Sequence, residues 1–309
     1  MNIKVSAVTS NYNHAAYIGR AIESILALGD CVDEFLILDD ASTDNSLDVI
    51  EKYMRGCQKI RLLRNDKNQG VVRADNRLFH EAQGTHILPL GADDYLISEN
   101  VIELIKLADR YPRAGIYFGD YYYDYVERGY QLLVYPGLKP DSTFIPPENA
   151  GKVLTGSVPS HVGHLLNRKF LLENNAYMEK HRHYVDGFVN FVLALRNGFC
   201  YLPKPTGVMV MLPGSFANAA NRNWKIRKAM IMNVLDTLKN DPQFSDLYPL
   251  FVKYKFFNNH GVGLTRLLVS DLTVWDRHSL KILYDTFINC VYMYYCRVFM
   301  DRFFHRHKV

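Results

Sequence analysis

Over its first 110 residues the chain repeats one unit: a short apolar run, a polar turn, then apolar residues at helical spacing. The first run, residues 3–8, gives way to Ser10-Asn11-Tyr12-Asn13-His14 and then to Ile18, Ala21, Ile22, Ile25 and Leu26, one face of a helix. Phe35-Leu36-Ile37-Leu38 follows, a continuous apolar run of the kind buried on both faces of a parallel sheet, and it ends in Asp39-Asp40. Ser42-Thr43-Asp44 then opens a helix carrying Leu47, Val49, Ile50 and Tyr53, with Thr43 or Asp44 placed to cap it. Residues 60–63, 71–82, 86–90 and 101–108 read in turn as strand, helix, strand and helix. Such alternation buries its apolar faces by layering helices on a mainly parallel sheet, so the fold class is α/β.

With 309 residues the chain has material for about two domains. The strand-helix pattern, followed by an irregular proline-containing stretch and more helix, assigns residues 1–222 to the α/β domain and 223–309 to a helical extension. Lys plus Arg exceeds Asp plus Glu by 36 − 32 = 4, too small an excess to indicate a nucleic-acid partner. Five cysteines without a C-x-x-C spacing signal neither a zinc site nor a disulfide framework, which suits a reducing cytoplasm. The N-terminus lacks the long apolar run of a secretory signal. Toward the C-terminus, Leu280, Leu283, Tyr284, Phe287 and Ile288 form an apolar face opposite Lys281, Asp285 and Asn289, a polar stripe that does not suit a spanning helix. The tail, Arg302-Phe303-Phe304-His305-Arg306-His307-Lys308, interleaves basic and aromatic residues. It suits peripheral contact with the anionic cytoplasmic membrane face, or packing on its own domain or a second copy in a homo-oligomer.

Ligands of open α/β sheets sit beyond the carboxyl ends of the strands, where this chain has Ser10-Asn11-Tyr12, Asp39-Asp40 and Asp93-Asp94. Tyr12 and Asp40 are suited to clamp a base by stacking and a hydrogen bond to a ring N–H; the alternative is an Asx turn beside a packing residue. Asp93, after the Gly91-Ala92 step, offers a hard oxygen to Mg²⁺ or Mn²⁺, or else braces the turn. Asp94 reads as a cap for the helix near Ser98 or as a brace of the turn. Arg73 matches a diphosphate or a surface ion pair equally well. Asp186 opens an amphipathic helix that Gly198 stops; it is either stabilised by that helix terminus or placed to accept a proton. His161 and His164 are acceptor or metal contacts, or structural. The tract Tyr121-Tyr122-Tyr123-Asp124-Tyr125 and the loop at residues 214–221 are candidates for shaping an acceptor site. No P-loop, G-x-G-x-x-G or G-x-S-x-G motif occurs, which argues against an NTPase, a dinucleotide enzyme or a serine hydrolase.

In order along the chain, residues 5–13, 36–44, 68–76, 84–94 and 185–198 resemble the successive signatures of family 2 glycosyltransferases, the inverting enzymes of the GT-A fold that use nucleotide-diphosphate sugars. The resemblance covers roughly the first two-thirds of the chain. It implies a Rossmann-like central sheet, a nucleotide-sugar donor (a UDP-sugar on the pairing of Tyr12 with Asp40) and a glycan or lipid-linked acceptor. By it, Tyr12 stacks on the base, Asp40 bonds its ring N–H, Asp93 holds Mn²⁺ or Mg²⁺ at the diphosphate, and Asp186 is the general base. Ser10, Asn11, Arg73 and Ala92 join the nucleotide contacts. Two departures stand out: Gly91 replaces the aspartate expected two residues before Asp93, and Val185 precedes Asp186 where a glutamate is common. A non-catalytic binding subunit of the same fold and a nucleotidyltransferase are the competing readings.

Overall fold

The computed structural model describes residues 2–136, 138, 144–155, 159, 161–212, 223–256, 267, 275–285 and 288, the side chains of 182 and 183 apart. They fall in two compact units, Met1–Leu154 with Val158–Ser215, and Thr155–Ser157 with Phe216–Val309.

The first unit holds a nine-stranded sheet. Strands β1 (Val5–Asn11), β2 (Glu34–Asp39), β3 (Ile60–Arg64) and β4 (His86–Pro89) run parallel in the order β3-β2-β1-β4. Asn11 lies beside Asp39 and Val8 beside Pro89, so the polar residues that end these strands share one edge. Helices α1 (Ile18–Leu26), α2 (Ser46–Met54), α3 (Val71–Glu81) and α4 (Ser98–Arg110) make the crossovers. In α1 the buried residues are Ile18, Ala21, Ile22 and Ile25, the stripe expected from spacing, and they join Ala7, Phe35 and Ile37 in one core. Gly70, with φ of 89°, turns the chain into α3. Asp44 accepts the N–H of Ser46 at 3.0 Å at the start of α2, and that of Ala15 at 2.9 Å.

Beyond β4 the sheet becomes mixed. It continues through β8 (Leu165–Asn167), β6 (Ile116–Tyr125), β9 (Phe199–Val210) and β5 (Tyr95–Leu96), with β7 (Tyr130–Val134) pairing on β6. The tyrosine tract therefore lies inside a strand. Helices α5 (Pro147–Leu154), α6 (Arg168–Asn174) and α7 (Val185–Asn197) complete this unit, and Gly198, with φ of 72°, ends α7 as the sequence indicates.

Two strands depart from the sequence reading. The stretch 165–201, where Phe188, Phe191, Val192 and Leu195 recur at helical spacing, contains β8 and the start of β9. β8 is three residues long, too short to show alternation, and continues directly into the helical pattern of α6. β9 carries Pro203, Pro205 and Gly207, residues that argue against a strand. Register shifts on the paired β6, on either side of Asp120, accommodate this irregular stretch. Cys31, Cys57 and Cys200 are free thiols.

In the second unit, α8 (Trp224–Asn240) begins where Asn223 accepts the N–H groups of Lys225 and Ile226, and it buries Ile231, Val234 and Leu238. α9 (Tyr248–Lys253) brings the Tyr248 hydroxyl to Asp276, which also pairs with Lys239, both at 2.7 Å. Among described residues 280–285 and 288, Leu280, Tyr284 and Ile288 of the expected apolar face are exposed and Leu283 is half-buried, whereas Ile282 and, from the expected polar stripe, Asp285 are buried. Asp285 is drawn inward by Lys281 and Lys255, at 2.7 and 3.6 Å. The basic aromatic tail and the loop at 214–221 lie outside the described residues. Among the described residues no helix is long and apolar enough to cross a membrane.

Candidate functional site

The parallel strands end in a hydrogen-bonded edge. Asn11 Nδ2 donates to Asp39 Oδ2 at 2.9 Å and to Ser42 Oγ at 3.1 Å, while the Ser42 N–H reaches Asp39 Oδ1 at 2.9 Å. Asp39 thereby joins the loops after β1 and β2. Asp40, also buried, accepts Asn65 Nδ2 at 2.7 Å, the Gln69 N–H at 3.0 Å and the Gly70 N–H at 2.8 Å, fastening the loop that enters α3. Tyr12 projects from the same edge with 41% of its surface exposed.

The Gly91–Asp94 turn is held from two sides. Arg20 donates to the Asp93 carbonyl oxygen at 3.1 Å and lies over the Tyr95 ring, 4.2 Å from its centroid. Asp94 does not cap α4; its Oδ1 accepts the N–H of Val210 at the end of β9, 2.8 Å away. Burial, with Asp93 alongside, holds the Asp94 carboxyl well above the usual range. A Cβ on Gly91 would lie 3.0 Å from Asp94 Oδ2 and 3.2 Å from Asp93 Oδ1, so both carboxylates turn toward that glycine. The Ala92 side chain is buried in the core.

A cavity of about 180 Å³ opens beside this turn, lined among others by Ser10, Asp94, His161, His164, Asp186 and Met209. Ser10 and Asp186 are thus brought together, with Ala92 and Asp93 in the turn between two lining residues, Gly91 and Asp94. Asn11, Tyr12 and Asp40 stand at the adjoining ends of β1 and β2. Arg73 is engaged elsewhere: its Nε donates to Glu179 Oε2 at 2.9 Å, and both side chains are more than half exposed, a surface ion pair. His161 and His164 line the cavity as neutral imidazoles, because burial pulls them down to about 4 and about 3, and their Nδ1 atoms have no hydrogen-bond partner.

One lining residue escaped the sequence reading. Asp75, on α3, accepts the Tyr177 hydroxyl at 2.6 Å and is hydrogen-bonded to Ser10, while Tyr177 also meets Asp186. Burial, then the neighbouring charges of Asp186 and Asp40, push the Asp75 carboxyl up to about 7. Burial raises Asp186 to about 6, opposed by its bond to Tyr177. Tyr177 packs edge-on against Phe79, ring centroids 4.9 Å apart. The available signal was spacing: Asp75 stands three residues after Val72 and four before Phe79, both buried, which puts a carboxylate on the inward stripe of the helix.

The fold is that of GT-A glycosyltransferases, whose solved structures superpose over nearly the whole chain. TarS of S. aureus (residues 1–349, in complex with UDP-GlcNAc) matches with a TM-score of 0.57 and 16% identity, over 93% of this chain and 90% of that one. The mannosyltransferase PcManGT of Pyrobaculum calidifontis, in complex with GDP-Man and Mn²⁺, gives 0.56 and 13%, over 94% and 88%. The model of glycosyl transferase family 2 matches residues 6–171, more than half of the sequence, and the chain belongs to that family. Among its relatives, the glycosyltransferase GlyG of Streptococcus pneumoniae is 29% identical over 135 residues, 43% of this chain and 44% of GlyG. The chain spans less than half the length of the curated relatives it matches first.

Proposed function

We propose that the chain transfers a sugar from a nucleotide-diphosphate donor, a UDP-sugar, to a hydroxyl of a glycan or lipid-linked acceptor, with inversion at the anomeric carbon. The observation that carries this reading is the cavity itself. Asp186, with its proton affinity raised toward neutrality, lines the same small space as the two residues that flank Ala92 and Asp93.

In the reaction the acceptor oxygen attacks the anomeric carbon while its proton passes to Asp186. The bond from that carbon to the β-phosphate oxygen breaks, and its electron pair leaves with the nucleoside diphosphate. Tyr12 supplies an exposed ring for the base. Asp40 takes three donors, with the Gln69 N–H shared between both of its oxygens at 3.0 Å, so a base ring N–H would take the place of that shared contact on one oxygen. Ser10, Asn11 and the backbone at Ala92 complete the nucleotide's surroundings. Arg73 joins them only by leaving Glu179.

Among the described residues no three metal-binding side chains converge. Asp93, whose carboxylate lies beside Gly91 in the turn, would give a hard cation, Mn²⁺ or Mg²⁺, a single oxygen ligand, the rest of its shell coming from diphosphate oxygens and water. Such a cation, when bound, supplies charge neutralisation to the departing diphosphate. The complexes formed by TarS with UDP-GlcNAc and by PcManGT with GDP-Man and Mn²⁺ support a nucleotide-sugar donor and a metal here.

The test is calorimetric titration of UDP with Mn²⁺ and again with EDTA, followed by turnover of UDP-sugars. Metal-dependent binding followed by transfer is the expected result. Gly91, which removes one carboxylate from the turn, favours the second reading, a binding subunit without catalysis; nucleotide binding without turnover of any sugar nucleotide would establish it.

A further inference from the structure

Tyr177 brings one O–H to two carboxyl groups, lying 2.6 Å from Asp75 Oδ2 and hydrogen-bonded also to Asp186. A phenol donates once. With both carboxylates ionised, one of them is left facing a like charge, away from water, with no donor from Tyr177. A single added proton resolves the conflict: one carboxylic acid donates to Tyr177 Oη, and the Tyr177 proton then points at the other carboxylate. The groups around the pair decide which acid holds that proton. Asp75 feels the charges of both Asp186 and Asp40, with only the Ser10 hydroxyl on its β1 side. His161 and His164, from the segment before β8, are neutral and compensate neither carboxylate. Asp94 adds a third acidic group to the lining.

We propose that Asp75 is a positioning residue for Asp186: on taking up a proton it donates to Tyr177, reversing the bond in which its carboxylate accepts the Tyr177 hydroxyl, and the Tyr177 proton then holds Asp186 ionised and oriented toward the acceptor hydroxyl. The inference rests on the reading of Asp186 as the proton acceptor in transfer. It makes activity depend on two opposite protonation states, Asp186 without its proton and Asp75 with it, so turnover falls on both sides of a maximum. The upper limb belongs to Asp75. Asparagine at position 75 presents an N–H to Tyr177 at every pH and removes that limb.

The experiment follows the aspartate carboxyl carbons of the ¹³C-labelled 309-residue chain by NMR across pH, without substrate, and sets the titrations beside kcat against pH. In the wild type the Asp186 resonance should sense two steps, near 6 and near 7. In Asp75→Asn it should sense only the lower one, with kcat at the optimum within about threefold and the alkaline decline gone. Asp75→Ala, which offers Tyr177 no donor, should lose about tenfold or more in kcat. Tyr177→Phe is the second variant should Asp75→Asn fail to fold, and should raise the Asp186 midpoint. An Asp186 resonance with a single step in the wild type, or an alkaline limb that survives in Asp75→Asn, overturns the proposal. Two coupled steps with no turnover of any sugar nucleotide would instead overturn the transfer reading.

Discussion

The Asp94 carboxylate accepts a 2.8 Å hydrogen bond from the backbone N–H of Val210, 116 residues further along the chain. The bond fastens the turn that carries Asp93 to the last residue of β9, next to the short pairing of Tyr95 and Leu96 with Val208 and Gly207. Asp94→Ala leaves a buried N–H without its partner, a cost of about 1–3 kcal/mol. The same variant should weaken metal-dependent UDP binding, because Asp93 loses its neighbour's anchor. Denaturant unfolding and calorimetry on one sample check both; full stability with wild-type affinity would show the anchor to be dispensable.

Asp93→Ala should abolish the difference between UDP binding in Mn²⁺ and in EDTA while the fold survives, since Asp93 is half-buried and its side chain is not what Arg20 contacts. Calorimetry reads this directly. A variant that still responds to Mn²⁺ would move the cation away from Asp93.

Asp186→Asn should lower kcat by about 10²–10⁴-fold, the usual contribution of a general base, with UDP affinity within about twofold of wild type. Radiolabelled sugar transfer measures the first and calorimetry the second. Near-normal turnover would remove Asp186 from the chemistry.

Folded Asp75 keeps its proton to about pH 7, whereas an unfolded aspartate releases it near 3.9. Between those values the folded state binds the extra proton, so this residue's contribution to stability is full below the unfolded value and is lost as pH rises through 7. One such proton gives a slope of at most about 1.4 kcal/mol per pH unit. Asp75→Asn should flatten that part of the curve and be more stable than wild type at pH 8 than it is at pH 5, relative to the same reference. Urea unfolding across pH tests this, and parallel curves for the two proteins would refute it.

Gly163 stands between Val162 and His164 with φ of 63°, and a Cβ there would lie 2.5 Å from the Thr206 carbonyl oxygen. Gly163→Ala combines a left-handed backbone with a clash against main chain, a destabilisation of about 2–4 kcal/mol. Thermal unfolding that differed from wild type by less than a degree would disprove it.

Much of the first half was legible because local signals agreed. Ile18, Ala21, Ile22 and Ile25 all fall on the buried side of α1, and Phe35 to Leu38 are buried on a central strand. Ser10 and Asp186, picked out at a strand end and a helix start, line one cavity. What stayed hidden depends on partners distant in sequence. β9 contains prolines that pass as loop residues until β6 shifts register beside them. Asp75 looked like one more polar helix residue, since only Tyr177, 102 positions away, reveals its environment. Asp94 reads as a cap or as a brace of its own turn, and its partner Val210 cannot be inferred from its neighbours. Asp285 was assigned to a solvent stripe, yet two lysines make its burial affordable.

β9 also fixes when the cleft can exist. Met209 lines the cavity and Val210 anchors Asp94, although the strands that β9 completes were synthesised long before it. A nascent chain that has displayed β1 to β4 still has no finished pocket until residue 210 has joined the sheet. Loop closure over that distance belongs to the slow part of folding. Fragments ending before residue 210 should therefore retain helices and a partial sheet but have no assembled cleft.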